Sequence, residues 1–448
     1  MGVERCTREG VSEMVQLYPS QQEIMKVVDG KTNCAFWVGC GAGKTFLGSE
    51  KLLSFKTPFN LVVCQKSQVE YWVNHFKNNY PNLEVTDLTK LGALKLENLK
   101  PGVMIINYDI VFRRPILSVL KDFTLMLDES SVIQNMTAKR TKFILKLKPK
   151  HVILLSGTPV SGSKLDMNMG LIYGKFENLI SQLHLLGWKV TKKAFWSRYC
   201  NWHLDQYGEV RVPKVDSYKN IPELNDKLRF LGCVFRRTED IVELPEYDDQ
   251  TIYVKTIPEY KMMIRHGIVE VDGEELVGDM PLTKLMRLRQ LCAQYNHEKV
   301  SVLSDLLESL ENERVVIFYN FVPELDVIKK VVGDSRPFYE INGDSKTFNE
   351  DTFGSPENSN AVVAAQYQSG SRGHNMQAAK YIIYMSVTNS AEFFDQSRGR
   401  IRRDGQKAGR VMYYHIVAKG SVEEKELASV RAGVDYTTED YCRDYENS

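Results

Sequence analysis

The chain has 448 residues, enough for two or three domains, and its 43% hydrophobic and 26% charged residues are those of an ordinary globular protein rather than a fibrous or disordered one. Its 58 Lys and Arg balance 57 Asp and Glu, and a net charge of +1 selects no partner by itself. No stretch reaches the roughly 18 apolar residues of a membrane span, and no Cys-x-x-Cys pair occurs among the eight cysteines, so neither a membrane protein nor a zinc ribbon is expected. The start, Met1-Gly2-Val3-Glu4-Arg5-Cys6, has no apolar signal core, and a cytoplasmic location is expected.

Along the chain, the apolar run Cys34 to Val38 leads into Gly41-Ala42-Gly43-Lys44-Thr45, and a helix-like segment, Phe46 to Phe55, follows. That is the strand–loop–helix setting of a phosphate-binding loop, with Val38 where the full pattern has its first glycine. The glycines let backbone N–H groups turn toward an anion, and the helix start adds its positive dipole. Further strand-like runs are Asn60 to Cys64, Val103 to Asn107, Phe123 to Leu127 and His151 to Ser156. Helical patterns such as Val69 to Asn79 and Ala138 to Leu147 lie between them. The alternation predicts a parallel sheet covered by helices. The run ending at Leu127 continues into Asp128-Glu129, an acidic pair at a strand end.

From Ser161 to about Leu244 the pattern becomes aromatic-rich and helical, with helices expected over Leu171 to Leu186 and Lys193 to Tyr199 and a hairpin around Gln206-Tyr207-Gly208-Glu209. Leu244-Pro245-Glu246 reads as a hinge, and Asp272-Gly273 suits the turn of a short hairpin over Ile268 to Val277. A second alternating half begins near Glu298, with strands at Arg314 to Tyr319, Arg336 to Ile341, Asn360 to Ala365, Tyr381 to Ser386 and Arg410 to Ile416. The division is therefore 1–160, an α/β domain with the phosphate loop; 161–244, a helical insertion with a hairpin; 245–297, a hinge and small insertion; and 298–448, a second α/β domain with an acidic C-terminal tail.

These pieces suit one chemistry. Phosphoryl transfer to water needs phosphate positioning, a metal, an oriented nucleophile and a cation for the transition-state charge. Lys44 would reach the β- and γ-phosphates of ATP, and Thr45 would hold Mg2+. Asp128 would hold the same ion, and Glu129 would orient and deprotonate the water. Arg400 and Arg403, three apart and expected on one helical face, are arginine-finger candidates. Seven Lys or Arg and no acidic residue between Ser130 and Leu165, and seven basic residues against Asp404 between Gln396 and Gly420, suit a polyanion as partner.

At this point the chain resembles the superfamily-two helicases, and among them the Swi–Snf-type motors. The resemblance runs from Leu17 to Gln406. It implies two tandem RecA-like domains. Leu17-Tyr18-Pro19-Ser20-Gln21 resembles the adenine-reading motif, which makes Gln21 the adenine contact. Gly41, Gly43, Lys44 and Thr45 carry the ATP site, together with Gln396 of Gln396-Ser-Arg-Gly-Arg400-Ile-Arg402-Arg403. Lys66 and Ser67, Tyr108, and Gly370, Arg372 and Asn375 stand in motifs that touch DNA. Ser156-Gly157-Thr158-Pro159 matches the motif that couples the two sites. Asp128-Glu129-Ser130-Ser131 departs from the usual Asp-Glu-Ala/Gly-His at its last position, and Arg402 stands where His is common. Phe235-Arg-Arg to Leu244-Pro245, and Leu288-Arg-Gln-Leu-Cys292, are similar to segments of the Swi–Snf branch.

Phe195-x-x-Arg198-Tyr199-Cys200 and the following hairpin resemble the fork-remodelling, annealing-helicase sub-branch. The resemblance implies forked or branched DNA as partner; Tyr207 at the hairpin tip is the wedge candidate, and the short length suggests a stripped motor such as a phage or prokaryote encodes, a branch-migration helicase. Two alternatives stay open: an RNA-dependent helicase, and an ATP-gated clamp that binds DNA without turnover.

Overall fold

The computed structural model describes residues 3–4, 16–92, 99–207, 210–345, 347–371 and 374–446. The chain forms two compact units, Met1–Glu243 and Leu244–Ser448.

In the N-terminal unit, α1 (Pro19–Val27) precedes β1 (Asn33–Val38), and the phosphate loop joins β1 to α2 (Lys44–Ser54). Next come β2 (Phe59–Cys64), α3 (Val69–Asn79), β3 (Val85–Asp87), β4 (Gly102–Asn107), β5 (Phe123–Asp128), α4 (Lys139–Lys146) and β6 (His151–Ser156). The seventh strand, β9 (Cys233–Arg236), comes from the far end of the unit, and the order is β9-β1-β6-β5-β2-β4-β3, every pair parallel. Both faces are covered. Cys34, Phe36 and Val38 of β1 enter one apolar cluster, and Ala35 and Trp37 enter the other. A strand buried on both faces reads as a continuous apolar run, which is why these strands are visible in the sequence.

The segment 161–244 departs from a helical insertion. The helix expected over Leu171 to Leu186 is broken into a strand, Gly170–Tyr173, a short 3-10 turn, Phe176–Leu179, and α5 (Ile180–Leu185). Gly174 interrupts it at φ +131°, where a Cβ would lie 2.6 Å from Val160. After α6 (Lys192–Tyr199), β7 (Cys200–Tyr207) and β8 (Val210–Tyr218) form a two-stranded antiparallel ribbon, and α7 (Ile221–Phe230) leads into β9. The same segment thus supplies the edge strand of the first sheet.

The C-terminal unit opens with β10 (Glu246–Val254), α8 (Pro258–His266), a hairpin of Ile268–Val271 and Glu274–Val277, α9 (Pro281–Cys292) and α10 (His297–Ser309). Then follow β11 (Val315–Tyr319), α11 (Val322–Val332), β12 (Phe338–Ile341), β13 (Val362–Gln366), β14 (Tyr381–Tyr384), α12 (Ala391–Arg398), β15 (Arg410–Ala418) and α13 (Val422–Arg431). The sheet order is β10-β15-β14-β11-β13-β12, again all parallel. Leu244-Pro245-Glu246, expected as a hinge, runs directly into an edge strand of the second sheet. The acidic stretch expected as a tail is folded: Val422 and Leu427 of α13 are buried, and so is Tyr441 beyond it. Among the described residues no helix is long and apolar enough to cross a membrane.

Candidate functional site

The phosphate loop lies at the C-terminal end of β1. Gly41 and Gly43 have φ of +83° and +76°, a left-handed backbone that glycine adopts without strain. Gly43 also leaves room for Gln21, since a Cβ there would lie 2.2 Å from Nε2 of that residue. The Lys44 ammonium donates to the carbonyls of Val38 (3.0 Å) and Gly39 (3.1 Å), which curls the loop around its own lysine. Gly157 closes the other side, where a Cβ would stand 3.4 Å from Lys44 Nζ. The Thr238 hydroxyl donates to the carbonyl of Cys40 (2.8 Å) and braces the loop from the turn after β9. Gln21 is fully buried, accepts from the Tyr18 N–H (3.0 Å) and reaches the Ala42 carbonyl (3.4 Å). In this structure it braces the loop from beneath.

The acidic pair ends β5, with β6 between β5 and β1. The Asp128 carboxylate accepts from the Trp72 indole N–H (2.9 Å), and the Tyr108 hydroxyl donates to the Asp128 main-chain carbonyl (2.9 Å). Burial, and then the neighbouring Glu129 charge, push the Asp128 pKa up to about 6, while the Trp72 bond and Lys44 oppose them. A buried carboxylate in that condition suits a divalent cation. Mg2+ is commonly held by one or two carboxylates and the substrate's phosphates, so Asp128 and Thr45 fit it. Glu129 sits at φ +51°, a left-handed position that costs a non-glycine residue on the order of 1 kcal/mol or more. Its carboxylate accepts from the Ser156 hydroxyl (3.2 Å), which itself accepts from the Thr158 N–H (3.1 Å).

The raised pKa of Asp128 has a consequence for stability. The native state holds this proton more tightly than the unfolded chain, so the penalty is absent below about pH 4, grows toward pH 6 and is full above it. Asp128→Asn keeps an oxygen for Trp72 and removes the charge. Urea melts of the nucleotide-free protein should show the variant more stable at neutral pH by about 2–3 kcal/mol, the gap closing as pH falls to about 4.

The expected nucleic-acid contacts divide. Lys66 and Ser67 are exposed in the short turn after β2. Tyr108 is 2% exposed and supports Asp128 from within, so its side chain is not presented to a nucleic acid. Gly370 is buried against β13, where a Cβ would lie 2.5 Å from that of Ala365; the glycine serves close packing. The amide and side chain of Asn375 donate to the Glu350 carboxylate (2.9 and 2.7 Å). Arg372 lies outside the described residues. Tyr207 pairs with Val210 at the distal end of the ribbon. On α4 Lys139, Lys142 and Lys146 face solvent while Thr141 and Ile144 are buried, an outward basic face.

The arginine motif is not one helical face. Helix α12 ends at Arg398, and Arg400 to Arg403 continue in turns. The Arg400 guanidinium donates to the carbonyls of Gln396 and His374 (both 3.0 Å) and is buried, which pins the loop after β13 to the end of α12. Such use of its donors explains the end of the helix, and it makes Arg400 a brace within its own unit. Gln396 is 1% exposed and donates to Glu392 (3.0 Å). Arg403 is half-buried. Arg402 donates to the Pro245 carbonyl (2.9 Å) and lies over the Tyr247 ring, so the residue that replaces the usual His holds the start of β10.

The supporting roles of Trp72, Thr238 and Gln182 escaped sequence reasoning. Trp72 and Thr238 lie inside recognised segments, but their partners are 56 and 198 positions away. For Gln182 no local signal exists.

A phosphate loop and an acidic pair on strands of one parallel sheet define a phosphate-loop nucleotide-binding unit. A model of the SNF2-related domain matches residues 16–297, and one of the helicase conserved C-terminal domain matches residues 298–405. The chain belongs to the SNF2-related family, and its two parallel sheets are the tandem RecA-like core of that family. It is 24% identical over 395 residues to "Uncharacterized ATP-dependent helicase MG018" of Mycoplasma genitalium, covering 82% of this chain and 36% of that one. It is 23% identical over 441 residues to the Caenorhabditis elegans homologue of SWI/SNF-related matrix-associated actin-dependent regulator of chromatin subfamily A-like protein 1, covering 91% and 59%. Against the bovine "DNA annealing helicase and endonuclease ZRANB3" the identity is 20% over 422 residues, covering 86% and 36%. The chain thus spans little more than a third of the Mycoplasma and bovine relatives.

Proposed function

We propose that this chain is an ATP-dependent DNA translocase that remodels forked or branched DNA. The observation that carries the ATPase part is the grouping of Lys44, Asp128 and Glu129 at the C-terminal ends of neighbouring strands of one parallel sheet, with Ser156 holding the Glu129 carboxylate. Lys44 leaves its loop carbonyls for the β- and γ-phosphates. Asp128 and Thr45 would hold Mg2+, which when bound would supply positive charge against the phosphate oxygens. Glu129 takes the proton of the attacking water, with Ser156 fixing its orientation. Arg403 adds positive charge at the transition state.

The DNA part rests on family membership, on the outward basic face of α4 and on the exposed Lys66 and Ser67. The preference for a branch rests on the ribbon of β7 and β8, where Trp202 and Leu204 are 46% and 51% exposed. Exposed aromatic side chains on a ribbon can stack on splayed bases. Trp196 beside it is core, 7% exposed, with its ring edge-on to Trp202 at 5.8 Å.

ATP turnover should be measured without nucleic acid and with fork, four-way junction, plain duplex, single strand and structured RNA, and strand rearrangement scored on the branched substrates. The largest stimulation is expected from the branched DNAs. Equal stimulation by structured RNA would move the reading to an RNA motor, and no stimulation by any DNA would end it.

A further inference from the structure

Ser131 stands where the family's acidic box ends in histidine, yet the box is tied to its surroundings by another route. The Ser130 hydroxyl donates to Gln182 Oε1 (2.8 Å), and Gln182 Nε2 donates to the Pro159 carbonyl (2.6 Å). Pro159 closes Ser156-Gly-Thr-Pro, whose Ser156 donates to the Glu129 carboxylate. The bonds form a ring, from Glu129 through Ser156, the loop to Pro159, Gln182 and Ser130 back to Glu129. Ser130, Ser156 and Gln182 are all 0% exposed. In a dry site such bonds are strong, and a broken one leaves a polar group without water, so the members move together.

Gln182 lies on α5, outside both motifs. The turn before α5 carries Glu177, which accepts from the Tyr218 hydroxyl at the base of the ribbon (2.6 Å), while Phe176 packs edge-on against the Tyr218 ring at 4.8 Å. A continuous set of packed and hydrogen-bonded groups thus joins the ribbon to Glu129.

We infer that Gln182 is a positioning residue that couples the ribbon to the acidic box. A shift of the ribbon base displaces α5, and the two bonds of Gln182 carry that displacement to Ser130 and Pro159 and so to the Glu129 carboxylate. The inference rests on the DNA-stimulated ATPase reading above.

The test compares turnover with and without saturating forked DNA in the parent chain, in Ser130→Ala, in Gln182→Leu and in the double variant. Ser130→Ala removes one hydroxyl and decides the matter even where Gln182→Leu fails to fold. Each single change is expected to lower the stimulation ratio about tenfold, with unstimulated turnover and fork affinity falling far less. The double variant should lose no more than the larger single loss, since both break one relay. A merely structural role would lower stimulated and unstimulated turnover alike. An unchanged ratio in Ser130→Ala, or losses that simply multiply, would overturn the inference while the parent's stimulation stands. A parent that DNA does not stimulate overturns the underlying reading instead, and this inference with it.

Discussion

Glu129→Gln should reduce ATP turnover by roughly 10²–10⁴-fold, the range of a positioned general base, with nucleotide affinity nearly unchanged. Gln fills the same volume and can still accept from Ser156, so the left-handed backbone at this position need not relax. What it cannot do is take a proton. The expected signature is a loss in kcat with little change in KM, because the water rather than the bound phosphates loses its partner. Single-turnover hydrolysis and binding of a fluorescent ATP analogue read the two quantities separately. The result also decides between a motor and an ATP-gated clamp. A clamp has no turnover to lose, and parent and variant would then behave alike. The Ser156–Glu129 bond favours the motor, since holding a carboxylate in a strained backbone position has a use only where its direction matters.

Arg403→Ala is the second large effect. Turnover should fall by roughly a thousandfold or more, the scale of an arginine finger, while nucleotide binds almost as in the parent. The two arginines of the motif should separate in this assay. Arg400 has donors committed to the Gln396 and His374 carbonyls, so Arg400→Ala leaves two buried carbonyls without their partner. It is expected to lower the unfolding midpoint of the chain as well as turnover. Thermal unfolding beside steady-state kinetics on both variants checks this. A thousandfold loss in Arg400→Ala at an unchanged midpoint, with normal turnover in Arg403→Ala, would exchange the two assignments.

Much of the scaffold was legible in the residues because the relevant physics is local. Strands buried on both faces must be apolar throughout, so Cys34 to Val38 and Phe123 to Leu127 stand out. The phosphate loop needs left-handed backbone, so Gly41 and Gly43 do too. The ribbon was expected as a hairpin around Gln206 and Tyr207, and its two strands pair as such; Gly208 and Glu209 lie outside the described residues. The segment 161–244 was misread because the aromatic content of Leu171 to Leu186 suggested one helix, whereas Gly174 and the pairing of Gly170–Tyr173 with Lys164–Asp166 break it. Position within a motif also proved a poor guide to exposure. Tyr108 and Arg400 lie inside recognised motifs, yet each is turned inward to hold a neighbour in place, and Gly370 is buried where only a glycine fits against Ala365.

By itself the sequence determined the order of the motifs, the strand–loop–helix around Lys44, the acidic pair after β5 and the two-fold α/β plan, since each depends on residues close together in the chain. Only the tertiary structure decided that β9 returns from residue 233 to lie beside β1, that the Trp72 indole donates to Asp128, and that Gln182 joins the acidic box to the Ser-Gly-Thr-Pro loop. Those contacts span from 23 to 198 positions. A hydrogen bond of that kind exists only once packing has fixed which strand lies beside which and has removed the water that would otherwise compete for it.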